Sequence, residues 1–378
     1  MSSISVNTIT DASGGATTTV NGFTPTVSNM AGRNRLINSD MRIDQRNAGA
    51  SVTITATSAA QYVLDRFYLR AESATGSKVS VQRSTVAPAG FTNSQLITSL
   101  SAYTLGASEH FATVQPVEGF NVADLGWGTA SAQTITVSFW VRSSLTGTFG
   151  GFVLNNAADR CFLFSYTINA ANTWEYKTVT IPGDTSGTWL TDNGIGLYLN
   201  FSVATGTSLQ GAAGSWSSTF NRSVTGQVNL VGTSGATFYI TGVQLEAGSV
   251  ATPFCPAGGG SYGQELALCQ RYYWQQALGA ANIMLGIGTV LSGTNMNGFV
   301  QFPVQMRTAP SLVQSTGTNY YYFERDTAAT PFSGFSALNR ASKDAGQLYI
   351  SGLAGTSGQA GILFTASSSA AIGYSAEL

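Results

Sequence analysis

Charge is scarce in this chain. Its 378 residues include 17 Lys+Arg, 18 Asp+Glu and one histidine, so that charged residues make up 9% against 43% hydrophobic. Ordinary soluble domains carry about 25% charge. A net charge of -1 leaves no basic stripe of the kind that marks a nucleic-acid binder. It also excludes disorder, which needs low hydrophobicity together with high net charge. The single histidine, His110, stands beside Glu109. A Ser-His-Asp triad would have to use it, and no serine sits in a GxSxG strand-turn-helix context. Zinc takes three or four imidazole or thiolate ligands, which one histidine and three scattered cysteines (Cys161, Cys255, Cys269) do not supply. An odd number of cysteines without a CxxC pair gives no disulfide framework and reads as buried free thiols. The chain has no run of 18 apolar residues, which excludes a transmembrane helix, and no membrane insertion is expected. The opening MSSISVNTITDASGG lacks the basic start and apolar core of a secretory leader. Gly286-Ile287-Gly288 opens like a dinucleotide loop but lacks the third glycine, the following helix and the acidic partner.

What is present is glycine (43), phenylalanine (20), tyrosine (15) and tryptophan (6). Thr, Ser, Ala and Gly take over the surface role of charge. This is the composition of an extended, β-rich, assembled or exported protein. Residues 1–30 read as a short β-rich lead with turns at Asp11–Gly15 and Asn21-Gly22. The lead is too small to hold a core alone, and is expected to be an attachment or oligomerisation segment. From 31 to 255, strand-length windows that alternate or run apolar follow one another: Ser77–Gln82, Thr134–Val141, Trp174–Ile181, Ile195–Val203 and Thr237–Leu245. Turn clusters separate them. The expected fold is all-β, a β-sandwich or jelly roll, with Trp140, Trp174 and Phe238 inside it.

Residues 256–283 read as a joint. Pro256–Gly263 is rich in Pro and Gly, and Gln264–Leu278 has helical character with Leu266, Cys269, Tyr273 and Ala277 on one seam. So short a helix is marginal alone. The seam packs either on its own β domain or on the same helix of sister chains, an oligomerisation helix. Residues 284–378 form a smaller C-terminal β-sandwich, with strands at Gly298–Val304, Asn319–Phe323, Gln347–Ile350 and Gly361–Phe364.

Three classes of residue are candidates for function. Glycoside hydrolysis needs two carboxylates across a bond, and Asp40/Asp44, Asp184/Asp192 and Glu109/Glu118 are conceivable pairs; each reads more simply as turn-former, salt-bridge partner or Ca²⁺ ligand. No Asp-x-Asp-x-Asp loop marks calcium, so structural Ca²⁺ stays open and no other cofactor is expected. Arg33, Arg35, Asp40, Arg42, Asp44, Gln45 and Arg46, with Asp65 and Arg66, crowd a charge-poor chain and read as register-fixing ion pairs. Aromatic side chains on loops are the third class, because sugar rings stack their C–H faces on them. These are Tyr103, Trp127, Trp189 and Trp216 in the first unit, and Tyr320, Tyr321 and Tyr322 in the second; for any single one of them core packing is the better reading.

Two stretches resemble a known family. Ala31–Ile43 (AGRNRLINSDMRI), and Gly242–Phe254 (GVQLEAGSVATPF) followed by Glu265–Tyr273 (ELALCQRYY), are similar to tailed-bacteriophage tail fibre and receptor-binding proteins. Between them, Ile135–Val141 and Thr178–Thr188 resemble the jelly-roll carbohydrate-binding modules attached to glycosidases. The likeness covers about residues 31–275. It implies a non-enzymatic virion subunit, homotrimeric, joined to other tail or baseplate proteins and touching bacterial surface polysaccharide, with the C-terminal unit as receptor-binding tip. A chain made in the host cytoplasm without a leader would then reach the outside by lysis, in the virion tail. A carbohydrate-binding protein outside any virus is the alternative, and a tailspike-type depolymerase a further one; no regular β-helix repeat accompanies the latter.

Overall fold

The computed structural model describes residues 32–325 and 328–378. The expected attachment segment 1–30 lies outside the described residues. The chain divides into two compact units. Of the described residues, the first comprises 32–42, 49–63 and 67–265; the second comprises 43–48, 64–66, 266–325 and 328–378.

The first unit is a sandwich of antiparallel sheets, as the alternation of its strands predicts. One sheet has six strands in the order Val52–Thr53, Val79–Ser84, Ser94–Ser99, Thr237–Ala247, Ile135–Ser143, Glu175–Ile181. The other has seven: Trp216–Ser217, Cys161–Ile168, Gly147–Leu154, Ile195–Thr205, His110–Glu118, Phe67–Glu72, Ser58–Leu64. Their inner faces meet through aromatic rings. Phe139 of the first sheet lies 4.9 Å from Tyr166 and 4.8 Å from Phe201 of the second, and Phe149 lies 5.7 Å from Phe238. Edge-to-face contacts of this kind add to the burial of large apolar surfaces. Phe238 is in the core as expected. Trp140 and Trp174 are not: both are half-buried on the outer face, against Tyr176 and Tyr239. The reason is the period of two, because Trp140 falls between the inward Phe139 and Val141.

The second unit is a smaller sandwich. A seven-stranded sheet runs Ala328–Phe332, Tyr321–Arg325, Ala360–Thr365, Met284–Ser292, Asn295–Gln301, Ala345–Ser351, Ala337–Asn339. A three-stranded sheet, Tyr273–Leu278, Ala371–Ser375, Ser311–Gln314, accompanies it. The core between them holds Met296, Phe302, Tyr321, Phe323, Leu348, Leu363 and Tyr374. The crowded charges of residues 40–66 are largely internal pairs. Arg46 and Arg66 share the Glu377 carboxylate and lie over the rings of Tyr273 and Tyr272.

The one α-helix among the described residues spans Tyr262–Gln270, shorter than the Gln264–Leu278 expected. Beyond it, Tyr273–Leu278 is a strand paired with Ala371–Ser375. The run Tyr-Tyr-Trp is better suited to a pleated surface than to a helix, and pairing with a neighbouring strand outweighs the helical spacing. The seam is therefore split between two elements. Cys269 (0% exposed) and Tyr273 (2%) are buried within the chain, and Leu266 is half-buried. Cys161 is buried too and Cys255 partly so, all three as free thiols. No helix among the described residues is long and apolar enough to cross a membrane.

Candidate functional site

The seven-stranded sheet of the first unit turns one face to the core and carries a cleft on the other. Alternation sorts its side chains. In FYLRAE, Phe67, Leu69 and Ala71 go inward and Tyr68, Arg70 and Glu72 outward; in IGLYLNFSVAT, Leu197, Leu199, Phe201 and Val203 go inward and Tyr198, Asn200 and Ser202 outward. Register then assembles the outward residues into rows. Tyr68 pairs with Val114, Val114 with Asn200, Asn200 with Phe152, and Phe152 with Leu163. The next row runs Arg70, Ala112, Ser202, Gly150, Ser165. The second row is made of small side chains apart from Arg70, which leaves room above it.

The loop ending in Ser223-Val224 closes one side and brings Phe220 and Arg222 over the sheet. Gly150 admits it: a Cβ there would run into Ser223 Oγ and lie 3.1 Å from the Val224 amide nitrogen. The Ser202 hydroxyl donates to the Arg222 carbonyl at 2.6 Å, tying the loop to the floor. The result is a cavity of about 180 Å³, lined by Tyr68, Tyr198, Phe152 and Phe220 as walls, with Asn156, Asn200, His110, Arg70 and Arg222 among its polar groups.

Two floor atoms lack partners. One end of the Asn200 amide meets Ser202 Oγ at 2.8 Å; the other, Nδ2, is buried with no partner in the chain. His110 is 1% exposed, its Nε2 lies 3.1 Å from Ser202 Oγ, and its Nδ1 is buried and unpartnered. Burial, then the charge of Arg70, pushes the His110 pKa down to about 3, so the ring is neutral. Burial likewise raises the Tyr68 and Tyr198 hydroxyls above the ordinary tyrosine range, leaving them as neutral hydrogen-bonding groups. Buried polar atoms without partners cost about 1–3 kcal/mol each. A ligand that satisfies them recovers that cost.

None of the loop aromatics singled out from sequence lines this cleft. Trp127, Trp189 and Trp216 do come together, with ring centroids 4.7, 5.4 and 5.5 Å apart in edge-to-face contacts. Each indole N–H donates to a backbone carbonyl, of Gln133, Ser186 and Pro182 respectively. Their polar handles are thus committed, and the cluster pins three loops together beside a cavity of about 150 Å³. The Tyr103 hydroxyl donates to Glu109 at 2.7 Å, on a separate shallow surface. In the second unit the three tyrosines separate by alternation: Tyr321 is in the core, donating to the carbonyls of Ser315 and Ala371, while Tyr322 packs on Phe364 and Tyr320 is half-buried.

The carboxylates have structural partners. Asp184 takes two bonds from Arg160 at 2.7 Å, Asp40 pairs with Arg42 at 2.5 Å, and Asp192 and Asp44 accept from the amides of Gly194 and Asn47. Glu109 accepts from Ala74, Gly106 and Tyr103. Among the described residues no three His, Cys, Asp or Glu side chains converge to hold a metal.

Neither a protein-family model nor a curated protein sequence matches the chain. Solved structures with some likeness include the enzymatically active domain of bacteriophage CBA120 tailspike protein 4, at 11% identity and a TM-score of 0.30, covering 57% of this chain and 21% of that one. This chain therefore spans about a fifth of that tailspike's length. Others are a family 11 carbohydrate-binding module from Clostridium thermocellum in complex with a β-1,3-1,4-mixed-linked tetrasaccharide (14%, TM-score 0.27, 53% and 97%) and the CBM22-1 xylan-binding domain from Paenibacillus barcinonensis (10%, TM-score 0.23, 54% and 99%). At TM-scores below 0.5, none of these likenesses bears on what this chain binds.

Proposed function

We propose that the chain is a glycan-adhering subunit, and that the cleft on the seven-stranded sheet is where the glycan lies. One observation carries this: an aromatic-walled cleft whose floor presents Asn200 Nδ2 and His110 Nδ1 buried and without partners. Rings stack on the C–H faces of a sugar, and fixed polar groups take its hydroxyls. A flat apolar ligand would leave the floor atoms unsatisfied. The experiment is affinity electrophoresis and calorimetry against a panel of neutral polysaccharides (laminarin, xylan, galactomannan) and polyuronates (alginate, polygalacturonate). Retardation by at least one member is expected, and retardation by none contradicts the proposal.

The setting we propose is the virion tail of a bacteriophage, in contact with bacterial surface polysaccharide and with other tail or baseplate proteins. The sequence likeness of residues 31–43, 242–254 and 265–273 supports it, and a carbohydrate-binding protein outside a virus accounts equally well for the cleft. Adhesion rather than cleavage is part of the proposal; release of reducing ends from any panel member would overturn it. So is assembly into a homotrimer. The second unit supports self-association, since Ile287, Leu291 and Phe299 are exposed (60%, 54% and 60%) around one shallow depression, and Ile287 pairs across the sheet with the exposed Ile362. Apolar patches of this kind mark interaction surfaces. Three sites on one trimer would multiply weak single contacts by about 10²–10⁴ in avidity.

A further inference from the structure

Charge in the cleft is one-sided. The charged residues that line it are Arg70 and Arg222. A single carboxylate, Glu72, stands behind both: its Oε1 pairs with Arg70 at 2.7 Å and its Oε2 with Arg222. Two guanidinium groups on one carboxylate leave a net positive charge, and Glu72 is not itself part of the lining. Arg70 keeps 42% of its side chain exposed and Arg222 keeps 20%.

Of the neighbouring charges, the cation Arg160 is already paired and the anion Asp159 stands outside the lining. On the rim loop, Asp159 is held by Asn155 Nδ2 at 2.6 Å, and Arg160 is bound by both oxygens of Asp184. His110 is neutral. Burial and the Arg70 charge also lower the Arg222 pKa, so the two guanidinium groups repel. Glu72 offsets part of that repulsion, and a second anion would offset the remainder.

We propose that the cleft selects acidic glycans, those whose sugars carry carboxylates, over neutral ones; this rests on the glycan site proposed above. The guanidinium plane accepts a carboxylate through paired N–H donors, a geometry that a hydroxyl does not match. Arg70 and Arg222 both line the cavity, so a group that enters it meets both.

The test compares oligogalacturonate and oligoalginate with methyl-esterified oligogalacturonate, the neutral panel and polyglutamate, by calorimetry at 50 and 300 mM NaCl. At least one acidic oligosaccharide is expected to bind tenfold or more tightly than the ester, and to weaken as salt rises. Arg222→Gln should bring the ratio of acid to ester near one. Arg70→Gln, at a more exposed position, should do the same if the first variant does not fold by circular dichroism. Equal binding of acid and ester, or binding confined to neutral glycans, overturns the acidic selectivity while the glycan site stands. Equal binding of polyglutamate overturns it too, by showing a patch that takes any polyanion. Binding of no saccharide at all overturns the glycan site itself.

Discussion

Replacing Tyr198 with alanine separates the two aromatic surfaces of the first unit. Tyr198 packs with Tyr68 and Ala112 on one side and with Phe152 and Leu154 on the other, and is half-buried. A sugar lying on the open half of its ring takes about 80 Å² of tyrosine surface out of water, half of what a buried tyrosine hides. At about 25 cal/mol per Å² this is about 2 kcal/mol, or about 30-fold in Kd. Trp189→Ala is the paired variant. It removes edge-to-face contacts to Trp127 and Trp216 and should lower stability by about 3 kcal/mol. Kd, measured well below the lowered Tm, should stay within twofold of the parent value. Calorimetry against the tightest member of the panel reads both, with circular dichroism melts to fix the folded fraction. If Trp189→Ala loses tenfold while folded and Tyr198→Ala loses nothing, the glycan lies on the tryptophan cluster and the cleft is not the site.

Other outcomes follow from single residues. Gly150→Val should cost about 1–3 kcal/mol of stability and weaken binding at least tenfold, because its side chain displaces Ser223 and Val224 and with them Phe220 and Arg222; an unchanged Kd would show that this loop does not shape the site. Asp65 is buried and its pKa is raised to about 6 from 3.8, by desolvation chiefly. The folded state thus holds the proton more tightly than the unfolded one, which favours folding below about pH 4 and is lost as pH rises through 6, by about 3 kcal/mol. Asp65→Asn should therefore lose more stability than the parent on acidification from pH 7 to 4 in urea melts, and a parallel pH dependence of the two would refute the assignment. His110 acts with the opposite sign, since its pKa is depressed to about 3: stability from this group is complete above about pH 6.5 and falls as pH drops toward 3. His110→Gln should flatten that acid limb. Phe299→Glu combined with Ile287→Glu should reduce the mass seen by light scattering from about three times 39.4 kDa to one; an unchanged multimer would place the contact elsewhere.

The sandwich was legible because strands announce themselves locally. Ile135–Ser143, Ile195–Thr205 and Thr237–Ala247 lie within two residues of the windows read from alternation. The same period also carried the cleft. Tyr68, Arg70 and Glu72 between Phe67, Leu69 and Ala71, and Tyr198, Asn200 and Ser202 between Leu197, Leu199 and Phe201, are aromatic and polar residues at every second position opposite an apolar face. What the sequence does not show is which strands are neighbours. Residues 68, 114, 200 and 152 share a row only through register, and Phe220 and Arg222 reach it from a loop fixed by Gly150. Loop tryptophans drew attention for their chemistry, yet the contacts that satisfy their N–H groups are nonlocal. Tyr273 sat on a helical seam and became a strand because its partner, Ser375, lies a hundred residues away.

Hydrogen–deuterium exchange of the full chain, with and without oligosaccharide from the tightest polysaccharide of the panel, tests the central claim most directly. Protection of peptides spanning 150–155, 196–203 and 218–224, with no change at 126–130 or 186–191, is the result predicted. Protection confined to the tryptophan loops or to residues 284–378 would contradict it.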